Sequence, residues 1–133
     1  MNSRIKIALT VVGVVIIVFI MIFLETSHRA GESYKEAETA YQQGDYDMAI
    51  VWYGTVIRFY TPGSKLVAKA KDKLFEIGEM LEKRGDYKKA SEAYGEVVHG
   101  IYAVRSFYTP HKDWQDEAKK RVEACKEGAV VKP

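Results

Sequence analysis

The sequence predicts an all-α protein, with one membrane-spanning helix at the amino terminus followed by a short array of helical hairpins. Three observations carry that expectation. Residues 5–24 form one unbroken apolar run, Gly-Asp-Tyr occurs twice (from Gly44 and from Gly85), and the phrase FYTP occurs twice (from Phe59 and from Phe107).

The first element is the run IKIALTVVGVVIIVFIMIFL, whose only charge is Lys6. At ~1.5 Å per residue such a helix spans ~30 Å, the thickness of a bilayer's hydrocarbon core. Lys6 lies close enough to the end for its stem to carry the ammonium to the headgroups. A cleaved signal peptide would need small residues at alternate positions after the run, but Glu25 and His28 stand there. No Cys follows the run, which excludes a lipid-anchored form. The expectation is an uncleaved anchor (1–24), then a short linker (25–32), a helical domain (33–127) and a frayed tail (128–133). Arg4, Lys6 and the amino terminus precede the span. Basic residues are retained on the cytoplasmic side, so the amino terminus is expected inside and the domain outside, which in a bacterium is the periplasm.

Charge and cysteine content narrow the possible functions. The chain has 20 Lys and Arg against 18 Asp and Glu, and Arg4 and Lys6 account for the whole excess. The soluble part is therefore neutral, which argues against nucleic acid as a partner. Cys125 is the single cysteine, so no intrachain disulfide and no Cys/His zinc set is expected; it reads as an inert, half-buried thiol. There is no Gly-rich phosphate loop and no Gly-x-Ser-x-Gly. His28, His99 and His111 lie in separate contexts and read as surface residues. Glu79/Glu82 and Asp113/Asp116 have the spacing of solvated helix faces. No enzyme, cofactor, metal or small-molecule substrate is expected.

The hairpins follow from small and large residues at fixed spacing. Ala37, Ala49, Gly78 and Ala90 allow close helix approach, while Tyr53, Leu74, Leu81 and Tyr94 fill the space between. Gly44 and Gly85 suit the left-handed residue that ends a helix, and Asp45 and Asp86 suit the caps of the next ones. Ser33-x-x-Glu36 has the form of a capping box, which places the first soluble helix at about 33–43. The others are expected at about 46–60, 64–84, 87–107 and 113–127. Each FYTP phrase reads as a joint between a hairpin and the next helix, because Pro cannot continue a helix and biases the preceding residue to extended geometry. The glycine motifs are 41 apart and the joints 48 apart, so the second unit's second helix is expected to be seven residues longer. The extra segment, GIYAVRS at 100–106, is expected to project as a two-turn rod.

Leu74, Ile77-Gly78, Leu81, Gly85-Asp86-Tyr87, Ala90 and Tyr94 together resemble the tetratricopeptide repeat. Gly44-Asp45-Tyr46, Ala49, Tyr53 and Pro62 repeat the pattern more loosely. The Tyr-x-Pro joint followed by an Ala-spaced helix resembles membrane-anchored tetratricopeptide proteins of the bacterial envelope. The resemblance implies two hairpins plus a carboxyl-terminal capping helix. It also implies a concave protein-binding groove built by the first helix of each unit: Tyr34, Glu38, Tyr41 and Gln42, then Phe75, Glu79, Glu82 and Lys83. The Lys and Asn that clamp a peptide carboxylate in co-chaperone members are absent, so an aromatic and acidic groove would suit a basic, apolar segment. Lys65, Lys69 and Lys73 share a helix face that suits anionic headgroups or an acidic partner, though a solvated face explains them as well. Gly54 and Gly95 recur mid-helix and suggest a close backbone approach.

The resulting expectation is a single-pass scaffold of a bacterial inner-membrane or envelope complex, which binds or assembles a protein partner. Two alternatives stand beside it. One is an organelle-import receptor facing the cytosol; the other is a structural subunit whose transmembrane helix is the working part.

Overall fold

In the computed structural model, which describes residues 2–105 and 108–131, five helices follow one another: α1 (Ser3–Gln42), α2 (Tyr46–Arg58), α3 (Lys65–Lys83), α4 (Tyr87–Val104) and α5 (Lys112–Val131). Ser106 and Phe107 of the second joint, and the last two residues of the expected tail, lie outside the described residues. The fold class expected from sequence is the one observed.

The tight turns form for the anticipated reasons. Gly44 (φ 75°) and Gly85 (φ 79°) take the left-handed conformation. At the first turn Asp45 N–H donates to Ala40 C=O (2.9 Å) and Gly44 N–H to Tyr41 C=O (3.0 Å), which ties off carbonyls that would otherwise lack partners. Asp45 and Asp86 then accept from the backbone N–H of Met48 (3.1 Å) and Lys89 (3.2 Å) and cap α2 and α4.

The joints are turns of another kind. Gly63 has φ 79°, and its counterpart in the second joint, His111, has φ 50°. Histidine is among the residues that tolerate this region best. Here it is held by stacking on Trp114 (3.6 Å between centroids) and by an edge contact with Tyr60 (5.7 Å). His111 is thus a structural part of the joint rather than the free surface residue expected.

Three expectations are corrected. The segment 25–32 is not a linker and Ser33 caps nothing, because α1 runs unbroken from Ser3 to Gln42. No helix breaker other than Gly31 intervenes, and Arg29–Glu25 (2.7 Å) and His28–Glu32 (3.3 Å) add i,i+4 support. Ser33 is buried inside the helix. At the other end α5 continues to Val131, so residues 128–131 are helical. The extension expected at 100–106 is docked at its start, through Gly100 and Ile101, while Tyr102, Ala103 and Arg105 are exposed. α4 has 18 residues against 13 in α2, and Ile101 is fully buried, while Gly100 lies so close to Ile57 that a Cβ would approach its Cγ2 to 2.5 Å. Arg105 is already extended, and Ser106 lies outside the described residues.

Each helix packs on the next, and α2 also packs on α4, while α1 and α3 touch only slightly. The result is one close layer (α2, α4) and one open layer (α1, α3, α5). The core between them includes Ala37, Ala49, Tyr53, Leu74, Ala90 and Tyr94, all with no exposed surface. Tyr94 fills the notch of Gly78, where a Cβ would lie 2.5 Å from the ring. Gln115 is buried and donates from Nε2 to Val98 C=O (3.2 Å), which pins α5 to α4. None of the membrane-length apolar window of α1 is buried by the rest of the molecule.

Candidate protein-binding groove

The open layer places most of the expected groove residues along one face, but through residues that sequence reasoning did not single out. Glu38 accepts a hydrogen bond from the Tyr53 hydroxyl, and Tyr34 meets the Tyr53 ring edge-on at 5.8 Å. Tyr41 donates from its hydroxyl to Glu76 Oε1 (2.7 Å), bridging α1 to α3. Lys73 lies over the Tyr41 ring at 4.5 Å and 3.6 Å from Glu76. Glu76 is thus the hub between the first two walls. Helical spacing could have found it, since it lies three residues after Lys73 and three before Glu79.

The third wall is α5, which is more than a cap. Lys71 sits over Trp114 (4.9 Å) and near the Phe75 ring (5.8 Å). Arg121 reaches Glu79 (3.2 Å) and Glu82 (3.9 Å) from α5. Lys71, Asp72, Phe75, Glu76, Glu79 and Glu117 line a recess of about 300 Å³ between α3 and α5. Gln42 and Lys83 stand exposed at the far end of their helices, away from this recess. The expected lysine face is split: Lys73 is drawn into the groove, while Lys65 and Lys69 remain exposed.

The groove is less acidic than its composition suggests, because Glu38, Glu76, Glu79 and Glu82 are engaged with internal partners. Those contacts shift their partners in turn. The hydrogen bond to Glu76, aided by partial burial, pushes the Tyr41 phenol up to about 12. Burial, followed by Glu38, raises Tyr53 further. Cys125 is fully buried and its thiol lies 3.2 Å from Glu82 Oε1; burial first, then Glu82, pushes it up to about 12. The Tyr94 hydroxyl is enclosed without a well-formed hydrogen bond, and its phenol is raised by burial and then by the charge of Glu82. These groups stay protonated at neutral pH, so the cluster consists of donors facing carboxylates and provides no thiolate nucleophile.

The paired mid-helix glycines differ. A Cβ on Gly54 would collide with the Glu96 side chain, which reaches across to Arg58 (2.9 Å). A Cβ on Gly95 would meet nothing within 4 Å. The expected close approach therefore holds at Gly54, though to a side chain, and fails at Gly95.

An open layer of alternate helices against a close layer defines the class of helical-repeat proteins that present surfaces to other proteins. Comparison with known families narrows the class: the family described as soluble NSF attachment protein, SNAP, matches residues 20–106. The chain belongs to that family. The match supports a helical-repeat family and not the tetratricopeptide repeat as such. It begins inside the apolar run and ends before α5. No curated protein and no solved structure matches the chain significantly.

Proposed function

We propose that this protein is a membrane-anchored interaction scaffold: residues 5–24 hold it in a membrane, and α1, α3 and α5 present the groove to a partner protein. The observation that carries this reading is the double role of α1. Its first half is bare, apolar and long enough to cross a bilayer, and its second half is a groove wall. The family description speaks of attachment, which suits a task of holding proteins together. We place the chain in a bacterial inner membrane, as in the envelope proteins it resembles, with the amino terminus cytoplasmic and the domain periplasmic. The partner would belong to an envelope or inner-membrane complex. The aromatic edges of the recess and the exposed Glu117 at its rim suit an amphipathic segment with apolar and basic residues. No catalytic step is assigned to the chain.

The test is crosslinked recovery of the partner by the full-length protein in its native membrane, compared with a Tyr41→Ala, Phe75→Ala variant. Recovery should fall at least tenfold. Phe75 also packs edge-on against Tyr94 (5.4 Å), so Glu117→Lys, at the exposed rim, serves as a second variant that spares the core. Undiminished recovery with both variants would show that the groove is not the binding surface.

A further inference from the structure

The groove leaves the duplicated joints without a task. Both joints lie at one end of the array, where the carboxyl ends of α2 and α4 meet the amino ends of α3 and α5. They touch each other through Tyr60 and His111 (5.7 Å). Burial raises the Tyr60 phenol and neighbouring Tyr108 adds to the effect, which places the two tyrosines side by side. The same end abuts α1 at the close of its apolar run. Tyr60, Thr61 and Pro62 form one wall of an apolar recess of about 470 Å³, and Phe19, Ile20, Ile22, Phe23 and Thr26 form the other. Residues 19–24 cover only ~8 Å of helix axis. A chain that spans the bilayer with residues 5–24 therefore cannot keep its first joint clear of the membrane interface.

We propose that the two FYTP joints form a second membrane contact, with Tyr60, Pro62, Tyr102 and Tyr108 lying in the lipid headgroup region beside the anchor. The proposal rests on the reading of residues 5–24 as a membrane span. The residue chemistry fits the site. Tyrosine is favoured at membrane–water interfaces because its ring is apolar and its tip polar. Tyr102 and Tyr108 are 55% and 65% exposed, unusually bare for aromatics in this domain. Arg105 lies 3.8 Å over the Tyr102 ring and donates to its hydroxyl (2.8 Å), and Lys65 is exposed at the start of α3. Both cations lie at this same end of the array, where an anionic headgroup surface would attract them. Of the acids at this end, Asp116 and Glu96 are paired with Lys112 (3.0 Å) and Arg58 (2.9 Å), while Asp113, in the first turn of α5, is exposed. The opposite end, with Asp45, Asp47 and Asp86 around the glycine turns, stands ~27 Å along α1 from Leu24.

The test places a nitroxide at one exposed position at a time in the full-length protein: Phe19→Cys, Gln43→Cys, Pro62→Cys or Tyr108→Cys. Buried Cys125 stays in place. The protein is reconstituted in vesicles of phosphatidylethanolamine and phosphatidylglycerol, and accessibility to oxygen and to a water-soluble nickel chelate is read. Labels at 62 and 108 should be shielded from nickel several-fold relative to 43 and remain open to oxygen, with 19 deeper still. If 62 and 108 meet nickel as freely as 43 while 19 stays in lipid, the proposal is wrong and the anchor stands. If 19 is also aqueous, the spanning reading fails and takes the proposal with it. Shielding from both reagents indicates protein cover, by a second copy, and also overturns it.

Discussion

Glycines 78 and 95 show how far one residue's role depends on what faces it. Both are mid-helix, where Gly costs ~1 kcal/mol relative to Ala. At Gly78 that cost admits the buried Tyr94 ring; at Gly95 there is open space. Gly78→Ala should therefore destabilise by about 1–3 kcal/mol through overpacking, while Gly95→Ala should stabilise by up to ~1 kcal/mol. Thermal melts of the purified protein should move in opposite directions; parallel shifts would refute the packing described. The sequence reads Gly78 as a close-approach residue of the repeat and pairs Gly95 with Gly54, each just after a repeat tyrosine; what it does not show is that Gly54 faces the Glu96 side chain while Gly95 faces nothing. Helical spacing puts Glu76 on the groove face, but its importance comes from Tyr41, 35 residues away.

At the scale of helices, termini set by local chemistry were legible. Gly-Asp-Tyr was read as a stop, a cap and a restart, and Gly44, Asp45, Gly85 and Asp86 do that through short-range hydrogen bonds. The apparent capping box at Ser33 has the right residues but no helix break before it, so the helix that begins at Ser3 continues through. Asp86→Ala should cost about 1 kcal/mol. Ser33→Ala should leave the melting midpoint at or slightly above that of the parent, because Ala is the better helix former. A loss at Ser33 equal to that at Asp86 would mean that α1 is broken there in solution. The length of α4 was read correctly in kind: the extra residues extend the second helix. Their fate was not legible, because the docking of Gly100 and Ile101 depends on Ile57 in another helix.

For the whole molecule, α1 joins the apolar run to the helical domain without a break. Arg4, Lys6 and the amino terminus precede the apolar run and Arg29 follows it, and this excess of basic charge on the amino-terminal side is the basis of the proposed orientation. A reporter that is active only outside the cytoplasm should therefore be active when fused after Pro133. Activity from a cytoplasm-only reporter instead would reverse the proposed orientation.

Residues 1–133 dictate, without reference to any fold, the apolar span, the neutral soluble part, the helical class and the turns, since each depends on composition or on neighbours within about five positions. The walls of the groove, the role of α5, the neutralisation of the groove carboxylates and the seating of the first FYTP joint beside Phe19 and Phe23 were decided only by tertiary packing. Those features arise between helices whose contacting residues are 15 to 43 positions apart, separations at which side-chain proximity leaves no periodic trace in a single chain.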